Sequence, residues 1–145
     1  MQNVMNSLLD GLSELIYISD PVTYELLYIN KAGKDIYGRD ADDGSHRCYE
    51  TLQGRTSPCP FCTNDRLSNR SFHEWEFENP VVNRHYLLRD KLIEWSGRPA
   101  RLEIAFDITD HEREKEQFKF LAAANELNVE CIRVLENEAF GTAID

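Results

Sequence analysis

One segment near the end of the chain alternates apolar and polar residues and constrains the fold more than any other feature. Residues 100–110 read ARLEIAFDITD, so that Leu102, Ile104 and Phe106 alternate mainly with charged residues. Side chains on a strand point to opposite faces in turn, and the pattern therefore predicts a half-buried strand. A turn sequence, SGRP, precedes it, and residues 84–95 before that turn are long enough for a second strand.

Three more segments predict strands, and short helices separate them. LIYIS at 15–19 and ELLYIN at 25–30 are rich in β-branched and aromatic residues, and an Asp-Pro turn joins them into a hairpin. SFHEWEFEN at 71–79 alternates aromatic residues with three glutamates, which predicts a half-buried strand with one acidic face. Apolar spacing predicts an amphipathic helix at 3–15, and Asn30 is suited to cap the start of a short helix.

The remaining segments complete an α+β pattern. Residues 39–71 are irregular, and we expect two short helices joined by loops there because Pro58 and Pro60 exclude one continuous helix. The end of the chain predicts one long helix. The whole order predicts five antiparallel strands with short helices on one face of the sheet. We divide the chain into an N-terminal helix at 1–14, a central domain at 15–110 and a C-terminal helix at 111–145.

The charge of the chain excludes some classes of partner. Its 145 residues carry a formal net charge of −10, whereas nucleic acids and anionic membrane surfaces bind clustered lysine and arginine. No apolar run reaches the roughly 18 residues of a membrane span, and no basic segment precedes an apolar stretch at the start. We therefore expect a cytoplasmic protein without nucleic-acid or membrane contacts. Its four cysteines are then reduced thiols, a metal site or a redox pair.

Two stretches of the chain resemble the PAS family of sensory domains. LIYISDPVTYELLYINKAGKDIYG is similar to the opening of that family: a strand, an Asp turn, a strand ending in Asn and a short helix ending in Gly. RLEIAFDITDHERE is similar to its close, in which the last strand runs through Asp-Ile-Thr-Asp into an exit helix. The resemblance covers residues 5–112. CYETLQGRTSPCPFC resembles a cysteine-bearing subgroup found before bacterial signalling outputs such as cyclic-dinucleotide enzymes or histidine kinases.

The resemblance implies a pocket between the inner face of the sheet and the short helices. It also implies a function, which is to sense a small molecule, redox state or light, or to dimerise, and to pass that state to a C-terminal output domain. No acid–base set, phosphate loop or Ser-His-Asp arrangement stands out, so we expect no catalysis from this chain itself. Aromatic residues can line such a pocket or simply fill the core. The pocket candidates are Cys48, Trp75, Phe77, Tyr86, Trp95 and Phe106.

The motif Cys-Pro-Phe-Cys at 59–62 is the strongest chemical signal. Near a helix start this spacing puts both sulfurs on one face, and the helix N-terminus lowers the pKa of the first thiol. Cys59 and Cys62, with Cys48, are therefore candidates for a reversible redox switch. The same thiols with His46 have the Cys3His composition of many zinc sites. Alternatively they pack as small apolar groups, and an oxidoreductase lacks the strand–helix context of thioredoxin-like sites.

Flavin and haem are disfavoured by departures from their usual patterns. GSHRCYETLQG is similar to the cysteine-bearing helix of light-sensing PAS proteins, with Cys48 and Gln53 in comparable places, but Arg47 replaces their asparagine. Haem bound on the helical side would need a histidine there, and His46 is the one available. Thr63 after the Cys-x-x-Cys motif excludes c-type attachment. Zinc or a small molecule stays open, and no cofactor is required.

A stripe of apolar residues runs along the predicted C-terminal helix. Its positions recur every three or four residues, and such a stripe needs a partner to bury it. A parallel homodimer is the natural arrangement, and folding back on the sheet is the alternative. Because the chain ends soon after this helix, we expect an output domain to follow in a longer protein. The stripe, called the seam below, comprises Phe120, Ala124, Leu127, Cys131 and Leu135.

Overall fold

The computed structural model describes the backbone of residues 2–144 and the side chains of residues 3–137. Its helices and strands follow one another in the order that the sequence predicts, with one 3-10 turn at Asn64–Arg66. The α-helices are α1 (Gln2–Asp10), α2 (Lys31–Tyr37), α3 (Cys48–Gln53) and α4 (Thr109–Ile144). The strands are β1 (Leu15–Ser19), β2 (Leu26–Ile29), β3 (His73–Asn79), β4 (Arg84–Trp95) and β5 (Arg98–Asp107).

The five strands form one antiparallel sheet in the order β2-β1-β5-β4-β3. The first and last strands are therefore neighbours at its centre, and the short helices belong to the connection between β2 and β3. The hairpin of β4 and β5 is the longest pairing and keeps one register from Tyr86–Asp107 to Trp95–Arg98. The predicted α+β architecture, a five-stranded antiparallel sheet with a long C-terminal helix, is confirmed.

The side chain of Asn30 links α1, β1 and α2 by hydrogen bonds. Its side-chain oxygen accepts hydrogen bonds from the backbone N–H groups of Ile16, at 3.0 Å, and Gly33, at 3.2 Å. Its amide nitrogen donates to the carbonyls of Leu9, at 3.0 Å, and Glu14, at 2.8 Å. The side chain is fully buried, and every bond that it can form to backbone is made. It caps α2, as the sequence predicts, and it also ties α1 and β1 to the same point.

Two local features differ from the sequence-based expectation. The first helix ends at Asp10, because Gly11 is a poor helix residue and β1 takes Leu15 as its first residue. The Cys-x-x-Cys motif lies in a turn rather than at a helix start. In that turn the N–H of Cys62 donates to the carbonyl of Cys59 at 3.1 Å. We call residues 59–62 the cysteine turn.

The register of the long hairpin divides its side chains between two faces of the sheet. Asp90 pairs with Glu103 and Leu88 with Ala105, and these residues share the inner face with the third strand's Trp75. Leu102, Ile104 and Phe106 therefore lie on the opposite, outer face. There Trp95 packs on Tyr28, with ring centroids 5.4 Å apart. The outer-face cluster also contains Leu9, Ile18, Leu27, Ile93, Ala100 and Leu102.

α4 belongs to a compact unit separate from residues 1–108. Within it the seam residues Phe120 and Leu127 are 73% and 67% exposed. Phe118, Leu121, Val129 and Ile132 are also exposed and form a second apolar set on another side of the helix. No helix in the described part of the chain is both long enough and apolar enough to cross a membrane.

Replacing Asn30 with Ala should destabilise the fold by about 3 kcal/mol. The change leaves two buried N–H groups and two partly buried carbonyls without their partners, and each such loss costs on the order of 1 kcal/mol. Urea unfolding followed by circular dichroism measures the change. Asn69→Ala is the matched control, since Asn69 is exposed and should shift the free energy by less than about 0.5 kcal/mol. Equal effects of the two variants would contradict this account of Asn30.

Candidate ligand-binding cavity

A cavity of about 60 Å³ lies between the inner face of the sheet and the segment that contains α3 and the cysteine turn. By the same measure one water molecule needs roughly 10–15 Å³, so the cavity has room for about four to six waters or for a ligand of a few non-hydrogen atoms. Four of the five strands contribute to its lining. Representative lining residues are Leu15 from β1, Leu52 from α3, Leu88 from β4 and Ala105 from β5.

Three aromatic side chains form one wall of this cavity. The ring of Phe61, from the cysteine turn, lies 4.7 Å from that of Phe77 and 6.4 Å from that of Trp75. The rings of Trp75 and Phe77 are 5.6 Å apart on β3. These separations are in the range of favourable aromatic contacts. Four tyrosines complete the aromatic lining: Tyr17, Tyr37, Tyr49 and Tyr86.

Arg101 is the centre of a buried polar cluster at the cavity. The residue is 5% exposed, and one guanidinium nitrogen donates to the Thr63 hydroxyl at 2.8 Å and to the Asn64 side-chain oxygen at 2.9 Å. The other nitrogen lies 3.0 Å from carboxylate oxygens of both Asp90 and Glu103. A buried charge is tolerated only when it is paired and hydrogen-bonded. These contacts attach the segment after the cysteine turn to the sheet.

Asp90 is the most completely buried member of the cluster. One of its oxygens accepts hydrogen bonds from the Thr63 hydroxyl, at 2.9 Å, and from the Trp75 indole N–H, at 2.7 Å. The same oxygen faces Arg101. Its other oxygen is buried and receives no hydrogen bond from a donor in the described part of the chain. Asp90 therefore fixes the orientation of Trp75 in the cavity wall.

Glu103 lies directly opposite Asp90 in the sheet register. Burial raises the pKa of the Glu103 carboxyl well above its ordinary value, and the charge of Asp90 raises it further, while Arg101 opposes the shift. A proton on Glu103 reduces the repulsion between the two carboxyls and supplies a donor to Asp90. With that proton in place, Arg101 and Asp90 balance each other and the cluster carries no net charge.

All three cysteines of the candidate redox set line the cavity. Cys48 comes from the first turn of α3, and Cys59 and Cys62 come from the cysteine turn. Burial raises the pKa of Cys48 to about 12 and also raises that of Cys59. The expected lowering of the Cys59 pKa by a helix N-terminus is therefore wrong, because no helix begins there and the thiol is partly desolvated. Raised thiol pKa values leave little reactive thiolate at neutral pH.

The predicted zinc ligands are not gathered at one point. His46 lies outside the cavity, where its ring pairs with Asp43 at 3.8 Å. The three cysteines lie on the cavity side instead. Among the residues with described side chains, no group of three His, Cys, Asp or Glu side chains is arranged to hold a metal ion.

Two of the predicted pocket residues do not line the cavity. Trp95 and Phe106 point to the outer face, because the strand register gives them the opposite parity from Tyr86 and Ala105. Cys48, Trp75, Phe77 and Tyr86 do line it.

The buried charged residues of the cavity are the feature that sequence reasoning missed. The alternation in β5 suggested that its charged residues face solvent, yet Arg101 and Glu103 are more buried than Leu102 and Ile104. One signal was present in the neighbouring strand. Asp90 is two residues after Leu88 and four after Tyr86, so all three side chains lie on the same face of β4. A charged residue at this position is therefore a candidate for the buried face.

Comparison with solved structures identifies the fold. The PAS domain of an HTR-like protein from Haloarcula marismortui superposes with a TM-score of 0.52 at 12% identity, covering 74% of this chain and 96% of that one. The PAS domain of nitrogen regulation protein NR(II) from Vibrio parahaemolyticus gives 0.55 at 14%, covering 72% and 98%. An RNA-binding light-oxygen-voltage receptor gives 0.57 at 15%, covering 85% of this chain and 37% of the receptor. This chain has the PAS fold.

The PAS fold agrees with the two sequence stretches that resemble the family. Matches come from structure alone, since neither a family model nor a curated protein sequence matches the chain. The cysteine-bearing subgroup stays a prediction. The cavity of this PAS fold lies where the resemblance implied a pocket.

Replacing Glu103 with Gln should flatten the pH dependence of stability. Because the folded state holds the Glu103 proton more tightly than the unfolded state, the contribution of Glu103 to wild-type stability is greatest below the ordinary glutamate pKa of about 4.3. It then falls as pH rises toward the raised pKa of the folded state, by up to about 1.4 kcal/mol per pH unit. Urea unfolding between pH 5 and pH 8 measures the slope. The exposed Glu94→Gln should keep the wild-type slope, and an unchanged slope in Glu103→Gln would reject a protonated Glu103.

Proposed function

We propose that this chain is the sensory module of a bacterial signal-transduction protein, and that it binds a small molecule in the cavity. The observation that supports this most directly is the cavity itself, with its aromatic wall and its buried cluster of paired charges. A domain that needed only a packed core would gain stability by filling this space. Several structural neighbours are PAS domains of signalling proteins, including a two-component sensor histidine kinase.

The chain offers a covalent route from the cavity to an output domain. Arg101 and Glu103 lie on β5, and α4 begins at Thr109, two residues after that strand ends. The N–H of Ile108 donates to the carbonyl of His85 at 2.9 Å, which fixes the end of the strand to β4. Ligand binding shifts the population of cavity packings, and β5 transmits that shift to α4. An output domain beyond α4, such as a cyclic-dinucleotide enzyme or a histidine kinase, completes the proposal, and no catalytic step is assigned to this chain.

Oxidation of the cysteines is a second input that the same cavity can receive. Three thiols line it, and the cysteine turn is followed directly by Thr63 and Asn64, which bond to Arg101. The raised pKa values of Cys48 and Cys59 make them slow to react, so we place ligand binding first. If peroxide leaves the free-thiol count of the folded protein unchanged, the redox version is rejected.

Replacing Ala105 with Leu should abolish small-molecule binding while preserving the fold. Ala105 is buried and lines the cavity, so the larger side chain occupies ligand space at a stability cost of about 1–3 kcal/mol. Native mass spectrometry and thermal-shift measurements against a small-molecule set compare the variants. The exposed Ala122→Leu on α4 is the matched control and should bind as wild type does. Identical binding by Ala105→Leu would show that ligands bind elsewhere, and no binding by any variant would reject a ligand sensor.

Replacing Leu127 with Asp should dissociate the homodimer that we propose to form along the seam. A charge in an apolar helix interface weakens association by at least about tenfold. Ile132→Asp is the control, since Ile132 is exposed on the same helix about 140° around from Leu127. Analytical ultracentrifugation should find a dimer for wild type and Ile132→Asp and a monomer for Leu127→Asp. The reverse result would place the interface on the second apolar set, and a monomeric wild type would reject the dimer.

A further inference from the structure

The cysteine turn holds Cys59 and Cys62 close to the separation that a disulfide needs. The N–H of Cys62 donates to the carbonyl of Cys59 at 3.1 Å, which closes a turn of four residues. Such a turn keeps the Cα atoms of its first and fourth residues within about 7 Å, and disulfide-bonded cysteines have Cα atoms about 4.4–6.8 Å apart. The backbone therefore needs little movement for the two sulfurs to bond.

The side chains of these two cysteines also face the same space. Both Cys59 and Cys62 line the cavity, so they lie on the same side of the turn. Burial is the main cause of the raised pKa of Cys59, and the neighbouring Cys62 thiol contributes to it. Both residues are partly exposed, and a small oxidant in solution can therefore reach them.

Cys48 is the less suitable partner for such a bond. It belongs to the first turn of α3, where its N–H donates to the carbonyl of Tyr24 at 2.8 Å. Burial raises its pKa to about 12, which leaves almost no thiolate at neutral pH. A bond to Cys48 would join two separate segments of the chain, whereas a bond between Cys59 and Cys62 forms within one turn.

Phe61 is the residue that responds when the turn is bridged. A disulfide sets the Cβ atoms of its two cysteines about 3.8 Å apart. Of the two residues between the cysteines, Pro60 has a fixed φ angle, so Phe61 takes up most of the backbone change. The ring of Phe61 lies 4.7 Å from that of Phe77 and 6.4 Å from that of Trp75. A change at Phe61 therefore alters the aromatic wall of the cavity.

We propose that Cys59 and Cys62 form a disulfide when hydrogen peroxide oxidises the chain, and that this bond displaces Phe61 from Trp75. This inference rests on the oxidative input of the proposed function, and it adds the bond that forms and the residue that moves.

The reaction consumes one peroxide and releases two waters. The thiolate of one cysteine attacks a peroxide oxygen, the O–O bond breaks, and the departing hydroxide takes up the proton of that thiol as water, which leaves a sulfenic acid. The second thiol attacks this sulfur, the S–O bond breaks, and the hydroxide leaves with the proton of the second thiol as water. Two electrons pass in all from the sulfurs to the oxygens of the peroxide.

Peptide mapping of the peroxide-treated wild-type chain tests the bond. The tryptic peptide 56–66 contains Cys59 and Cys62 and no other cysteine. After alkylation of free thiols it should be unalkylated and lighter by two hydrogens, and a reductant should reverse this. Cys59→Ser and Cys62→Ser should each lose the bond, whereas Cys131→Ser, which removes the exposed cysteine of α4, should keep it. Full alkylation of the peptide after peroxide, or a bond to Cys48 instead, would overturn the proposal.

The emission of Trp75 tests the displacement of Phe61. The sequence has two tryptophans, and only Trp75 lines the cavity, so the Trp95→Phe variant isolates its emission. Peroxide should shift this emission, and adding Cys62→Ser should abolish the shift. Adding Phe61→Ala should reduce it, because the ring that moves is absent. A disulfide that forms without a shift, or a shift of equal size without Phe61, would reject the displacement.

The oxidative input and ligand binding can fail independently. If small molecules bind in the comparison with Ala105→Leu but no bond forms in the cysteine turn, this inference is wrong and ligand sensing stands. If the bond forms and no small molecule binds, ligand sensing is wrong and the oxidative input stands.

Discussion

The buried guanidinium of Arg101 is the interaction on which the arrangement of the cavity depends. A charge in the interior persists only if each donor is matched, and here the partners come from separate parts of the chain: two carboxyls of the sheet and two polar side chains after the cysteine turn. The Thr63 hydroxyl adds a second link between that irregular segment and the sheet, because it donates to Asp90 at 2.9 Å. Arg101 thus positions one side of the cavity relative to the other.

This arrangement gives the cavity two kinds of wall. On the sheet side, β1, β5 and β4 are each paired with a strand on both sides, whereas β3, which carries Trp75 and Phe77, is an edge strand. The side that carries Phe61 and the two cysteines is a turn without regular structure, attached through Thr63 and Asn64. A ligand that moves the aromatic side chain of Phe61 acts on the same short segment that holds Arg101. In the proposed sensory function, the hydrogen bonds of Thr63 and Asn64 to Arg101 are the link between a bound ligand and β5.

The positions of the strands and helices can be predicted from the sequence, but which face of each strand is buried cannot. Alternation and turn residues predicted β1, β3, β4 and β5 within a few residues, and the Asn30 cap predicted α2. The buried face of β5 is set by two contacts of Asp90. Asp90 pairs with Glu103 of β5, and it accepts a hydrogen bond from Thr63, which lies 27 residues before Asp90 in the chain. Polar residues are buried only where distant partners meet them, and no local pattern contains that information. For the same reason Trp95 and Phe106 were assigned to the cavity, and the cysteine motif was assigned to a helix start.

The Asn30 side chain has a consequence for how the fold opens. One amide holds the end of α1, the start of β1 and the first turn of α2, with its capacity for backbone hydrogen bonds fully used. None of these segments can separate without breaking bonds that the others share. Local unfolding at the N-terminal end is therefore a single cooperative step, and the amide protons of Ile16 and Gly33 exchange with solvent through one common opening rather than by independent fraying.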